Sequence, residues 1–147
     1  MDDIDRKILS LLAADARRAL SDIGAEVGLS PSAVNERIRR MTARGVIRRF
    51  TVEVDPAAMG LPVPVFLWVA LREDADEGAF RAFASAHPAI AECHHVTGAW
   101  SYLLKLHLPD LAAIEPLLEQ IKAQRFLARS ETILALSSPV PAPMLPR

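Results

Sequence analysis

Between Arg37 and Arg49 the chain places six arginines and no acidic residue, and just upstream stand Ser32, Asn35 and Glu36. These residue types can read nucleic-acid bases. Arginine bonds guanine through O6 and N7, asparagine bonds adenine through N6 and N7, and glutamate accepts from cytosine N4. The remaining arginines can neutralise phosphates. The competing reading is a solvated face on an ordinary helix, and the choice rests on where the arginines fall.

At 100° per residue, Val34, Ile38 and Met41 cluster within about 60° and define an inward stripe of a helix running from Pro31 to about Arg44. The opposite face carries Ser32, Glu36, Arg39, Arg40 and Ala43, with Asn35 on its flank. Arg37 and Arg44 lie nearer the core side, within reach of phosphates or of acids on the first helix. The residues before this helix form a stop and a restart. Gly28 suits the position past a helix end, Ser30 a cap, and Pro31 a first helical position. Ile23 and Val27 pack inward ahead of Gly28, Gly24 is small where a close crossing is needed, and Val34 follows on the next helix. That grammar predicts a helix-turn-helix whose second helix enters a major groove. A generic three-helix bundle is the bland alternative; the agreement of cap, spacing and arginine run favours DNA.

Other elements must hold that unit in place. Asp2 or Asp3 caps a first helix, with Ile4, Ile8, Leu11 and Leu12 on one face. A connection over Asp15–Leu20 leads to a brief second helix, capped by Ser21 and ending at Val27. After Gly45, residues 46–54 alternate with period two and read as a strand. Asp55-Pro56 and Gly60-Leu61-Pro62 then punctuate a boundary. Beyond it come a strand (Val65–Leu71), a helix (about Asp76–His87), a strand (Ile90–Thr97), a Gly98-Ala99-Trp100-Ser101 turn and a strand (Tyr102–Leu108). A helix from the Asp110 cap, kinked by Pro116 or starting near Glu115, and a strand (Arg129–Ser137) complete a βαββαβ, ferredoxin-like order. The fold class is therefore α+β. Residues 1–50 form the helix-turn-helix domain, 51–62 a strand linker, 63–138 the ferredoxin-like domain and 139–147 a tail. Four prolines in those last nine residues predict an extended arm.

Composition narrows the remaining possibilities. The 147 residues are 51% hydrophobic and 24% charged, which excludes a disordered chain. No apolar run approaches the ~20 residues that cross a bilayer, and the acidic start is unlike a signal peptide. One cysteine, Cys93, excludes an internal disulfide framework and fits a reducing cytoplasm. Net charge is −1, yet residues 1–50 hold ten Lys/Arg against seven Asp/Glu, while residues 51–147 hold seven against eleven. The basic balance sits in the helical half.

Motifs in order along the chain carry a resemblance. They are Asp3-Ile4-Asp5-Arg6-Lys7-Ile8-Leu9, Ala16-Arg17-Arg18 before Ile23-Gly24, and Val27-Gly28-Leu29-Ser30. Next come Arg37-Ile38-Arg39-Arg40-Met41, Gly45-Val46-Ile47, Val54-Asp55-Pro56 through Gly60, and Val96-Thr97-Gly98. The sequence resembles the Lrp/AsnC family of bacterial and archaeal regulators over nearly its full length. The resemblance implies a winged-type helix-turn-helix joined by a strand linker to a βαββαβ ligand-sensing domain. It also implies double-stranded DNA as partner, homodimers through the sensing domains often assembled into octamers, and control by a small effector, usually an amino acid or related acid. Ser32, Asn35, Glu36 and Arg39 are then expected to read bases, and Arg40, Arg44, Arg48 and Arg49 to hold phosphates. Gly98, Ala99, Trp100, Ser101 and Thr132 are the expected effector residues. Two departures stand out. Family members typically have Gly-x-x-Asp-Tyr at this turn, and Ser101, standing in the Asp place, cannot supply a carboxylate to an ammonium group. Near the last strand, Gln124-Arg125-Phe126-Leu127-Ala128-Arg129 replaces a Leu-Pro-Gly-Val-like turn, and Arg125 or Arg129 is either a holder of an acid effector or surface charge.

Other chemistries find less support. On a strand, Cys93 and His95 face one side and His94 the other, so these neighbours cannot all bind one metal ion. No orienting third group is recognisable for a Cys/His nucleophile, and the six glycines punctuate turns without forming a phosphate cradle. No catalytic residue, metal or cofactor is expected. The architecture also resembles subunits of haem-pathway decarboxylases, for which His94, His95 and Arg125 would be candidates. An outward basic helix face has no use in such an enzyme.

Overall fold

The computed structural model describes residues 1–139. Asp2 opens α1 (Asp3–Ala14) through a reciprocal capping box, its carboxylate accepting from the Asp5 amide while that of Asp5 accepts from the Asp2 amide. α2 (Leu20–Val27) begins one residue before Ser21, with Ala19 at the cap position and no side-chain cap. The expected Ser21 cap is thus corrected: Leu20 packs against the three-helix core from inside the first turn. Burying that side chain outweighs a capping bond. α3 (Pro31–Ala43) starts as expected, with Pro31 in its first turn and the Ser30 hydroxyl accepting from the Ala33 amide.

Gly28 adopts φ 70° at the turn between α2 and α3, a left-handed conformation that few other residues tolerate. Gly24 answers a different need. A Cβ there would lie 2.4 Å from the Leu29 carbonyl oxygen, and the Gly24 carbonyl accepts the Leu29 amide. Ile8, Leu12, Ile23, Val34 and Met41 form the core of this helical unit.

The period-two segment 46–54 forms no strand. Ile47 packs against the helical core, but Val46, Phe50, Val52 and Val54 are exposed. A strand needs a neighbour to satisfy its alternate N–H and C=O groups, and among the described residues this segment pairs with none. The expected strand over residues 46–54 is corrected to chain without a ladder.

The second unit has the expected order: β1 (Val63–Leu71), α4 (Glu77–Ala86), β2 (Ile90–His95), β3 (Tyr102–Leu108), α5 (Ile114–Ala123) and β4 (Leu127–Leu134). The strands lie in the order β2-β3-β1-β4, every neighbouring pair antiparallel. Val65, Leu67 and Val69 of β1 and Tyr102, Leu104, Leu106 and Leu108 of β3 face a core closed by Phe80, Leu117, Ile121 and Phe126. α5 starts late enough to place Pro116 in its first turn, while Asp110 accepts from the Ala113 amide in the turn before it. β4 begins two residues earlier than Arg129 and stops before Ser137. Phe126 is buried and its carbonyl accepts the Arg72 amide, which draws the start of the strand upstream. β2 stops at His95, before Thr97, because the chain turns toward Ser101, whose carbonyl accepts the Val96 amide.

By its contacts the chain divides between Glu53 and Val54. The expected tail, residues 139–147, lies outside the described residues beyond Pro139.

Candidate DNA interface and effector turn

α3 presents the expected surface. Ser32, Asn35, Glu36, Arg39 and Arg40 are all exposed, while Val34 and Met41 are buried beneath them. Arg39 and Glu36 approach to 3.6 Å as an i,i+3 pair, with three-quarters of the Arg39 side chain still in solvent. So loose a pair exchanges readily for a base edge or a phosphate. Arg44, Arg48 and Arg49 are also exposed, Arg44 at the end of the helix and the other two on the chain beyond it. Phe50 escaped notice in the sequence, where it read as one of several alternating strand residues. It borders an open groove of about 570 Å³ along the second half of α3, with Ile38 and Ala43 among the lining and Arg39 and Arg40 at its side.

Arg37 behaves otherwise. Its guanidinium turns back to α1, Nη1 donating to Asp5 Oδ1 at 2.7 Å and to Asp2 Oδ2 at 2.8 Å. The Asp5 amide and then Arg37 hold the Asp2 carboxyl below its ordinary range. The Arg37 hydrogen bond does most to lower that of Asp5. Of the two destinations open to Arg37 in the sequence, acids on the first helix is the one realised.

In the second unit, Gly98 at φ 99° begins the turn between β2 and β3. The Arg129 guanidinium donates to the Ala99 carbonyl at 2.8 Å and lies 4.2 Å from the Trp100 ring centroid. Trp100 leans toward Trp68, with centroids 6.2 Å apart. Ser101 is fastened to β1 at two points: its amide donates to the Val69 carbonyl, and its hydroxyl accepts the Leu71 amide at 3.0 Å. Arg129 thus contacts Ala99 and Trp100 directly, and Gly98 and Ser101 flank them in the same turn. Thr132 does not join them on the same face. It is in register with Leu67 on the helix-covered side, whereas Trp68 and Arg129 belong to the open side.

The histidines do not assemble. His95 stacks on Tyr102 at 4.9 Å, while His94 pairs with Leu103 on the other face and bonds Glu92 at 3.0 Å. Cys93 lies in register with Leu104, and burial raises its thiol pKa, which disfavours the reactive thiolate. Arg125 sits apart, at φ 58° after α5.

Comparison with known proteins bears on what these surfaces are. Residues 1–42 match the AsnC-type helix-turn-helix domain, and residues 64–145 match the Lrp/AsnC ligand binding domain. The chain belongs to the Lrp/AsnC family. Among curated relatives, the transcriptional regulator LrpC of Bacillus subtilis is 34% identical over 78% of this chain and 79% of its own. The leucine-responsive regulatory protein of Escherichia coli K12 is 36% identical over 80% and 73%. Among solved structures, an AsnC family regulator from Agrobacterium tumefaciens superposes with a TM-score of 0.91 at 30% identity, covering 99% of this chain and 97% of that one. An Lrp/AsnC chain is a DNA-binding transcriptional regulator with a ligand-binding domain, and the enzyme alternative is not favoured. No helix among the described residues is long and apolar enough to cross a membrane.

Proposed function

We propose that this Lrp/AsnC regulator reads double-stranded DNA with Ser32, Asn35, Glu36 and Arg39, and grips phosphates with Arg40, Arg44, Arg48 and Arg49. It acts in the cytoplasm as a binding protein without catalytic activity of its own. One observation carries the reading: base-reading residue types gather on the solvent face of α3, while its apolar stripe and Arg37 face inward. Phosphate contacts set register and orientation, and base-edge contacts supply discrimination.

The reader is a homodimer or a higher assembly such as an octamer. Phe66, Trp68 and Leu103 lie on the side of the sheet that no helix covers, and Ile133 beside them is 42% exposed. A second copy facing that surface would bury an apolar patch of a kind monomers seldom leave in water. Paired copies of α3 would then meet successive major grooves, so the site is an inverted repeat with half-sites about one helical turn apart.

The Gly98–Ser101 turn, with Arg129 from the last strand and without the Thr132 first expected there, receives the small effector. Arg129 is exposed beside Trp100, placing a cation and an aromatic face where an amino acid or related acid would present its carboxylate. Binding regulates only if the effector distinguishes two arrangements of the assembly.

Selection from a random duplex library by the full chain tests the DNA reading. Enrichment of an inverted repeat, with affinity falling steeply as salt rises, is the expected result. Recovery of unrelated sequences with no salt dependence refutes it. Thermal shift against amino acids and small organic acids tests the effector. A ligand at 100 times its Kd should add about 2.7 kcal/mol, and the gain should vanish in Trp100→Ala.

A further inference from the structure

The apolar contacts of α3 with the rest of its domain run along one stripe, through Val34, Ile38 and Met41. Such contacts hold the helix down through close packing but supply no hydrogen-bond directionality of their own. Among the described residues, the side-chain hydrogen bonds that tie α3 to another helix are those of Arg37. One nitrogen, Nη1, is shared by two carboxylates, and both are themselves immobilised. Asp2 Oδ1 accepts the Asp5 amide at 2.8 Å, Asp5 Oδ2 accepts the Asp2 amide at 3.3 Å, and the remaining oxygen of each takes Arg37. All four carboxylate oxygens are thus occupied. Asp5 is buried, and four-fifths of the Arg37 side chain is shielded from solvent.

Arg37 adjoins Glu36 and lies two residues from both Asn35 and Arg39. A turn of about 20° in α3 would carry a side-chain tip some 6 Å from the axis through about 2 Å. That is enough to break a base hydrogen bond, whose length varies by only a few tenths of an ångström. Phosphate contacts made by long, mobile arginines tolerate the same error.

We propose that Arg37 is a positioning residue for base reading: by clamping the recognition helix to the capping box of α1, it fixes the rotation at which Asn35, Glu36 and Arg39 are presented, and it touches no DNA itself. This rests on the assignment of α3 as the DNA-reading helix, so the test begins with the unaltered chain. If that protein shows no preference for a selected duplex over a random one, the assignment fails before Arg37 is tested.

Given such a preference, Arg37→Ala should lower the ratio of specific to random affinity by about tenfold or more, the scale of one lost base contact. Affinity for random duplex and its salt slope should stay unchanged. Arg37→Lys keeps a nitrogen able to donate to both carboxylates and should restore most of the ratio. Exchanging the charges, with Arg37→Asp and Asp5→Arg together, should restore more than either change alone. Circular dichroism at the assay temperature establishes that each variant is folded, and an unfolded Arg37→Ala hands the decision to Arg37→Lys and the exchange. An equal loss on both duplexes with a salt slope shallower by about one would make Arg37 a phosphate contact and overturn the proposal. A folded Arg37→Ala with an unaltered ratio would overturn it too.

Discussion

Arginines in α3 and just beyond it have different fates, and the difference is set by geometry. Arg39 points to solvent beside Glu36, Arg48 follows the helix on exposed chain, and Arg37 is locked to two aspartates. Arg39→Ala should cost roughly 1–3 kcal/mol on the preferred duplex and relax selectivity at one base pair, whereas Arg48→Ala should weaken all duplexes alike and reduce the salt slope by about one. Fluorescence anisotropy on matched and scrambled duplexes at several salt concentrations separates the two; identical behaviour would erase the distinction. The aspartates give a pH prediction of definite sign. The carboxyls of Asp2 and Asp5 are both held below 3.8 in the folded chain. Their contribution to stability is therefore complete above the ordinary carboxyl range and is lost as pH falls through the lowered folded values. Acid titration of Asp5→Asn followed by circular dichroism should show a smaller loss of stability below about pH 4 than the unaltered chain.

At the scale of elements, close approaches were easier to foresee than partnerships. The turn chemistry Gly28-Leu29-Ser30-Pro31 is local, so its residues announce it. Gly24 stands out for the same reason, although what it accommodates is the Leu29 carbonyl and not the neighbouring helix. Gly24→Ala should destabilise the helical unit by about 1–3 kcal/mol through overpacking against rigid backbone, read as a lower thermal midpoint and weaker duplex binding. An unchanged midpoint would mean that the turn yields cheaply. Residues 46–54 show the opposite case. Their alternation is a true β pattern, but a pattern cannot reveal whether a pairing strand exists within the same chain. Ser21 misled because a good capping residue was outbid by the burial of Leu20. Between β2 and β3, Gly98 through Ser101 could be read as a turn from sequence. Arg129 was visible only as a charge, since its stacking on Trp100 depends on strand register.

For the whole molecule, the order of elements was legible because each carries its own period and punctuation, while the assembly was not. The uncovered side of the sheet, with Phe66 and Trp68, is the surface on which association should depend. Trp68→Glu should shift sedimentation toward the monomer and, with only one recognition helix per particle, reduce affinity for an inverted repeat by a factor of 10² or more. A half-site duplex should feel the change far less. If the variant sediments as before, another surface holds the copies together.

Trp68 and Trp100 are also the only two tryptophans in the chain, and their rings lie 6.2 Å apart, with Arg129 over that of Trp100. Ultraviolet emission excited at the red edge, where tyrosine is silent, therefore arises wholly from that corner. The protein carries a built-in optical gauge there, and a compound that dislodges Arg129 would change its brightness without any dye being attached.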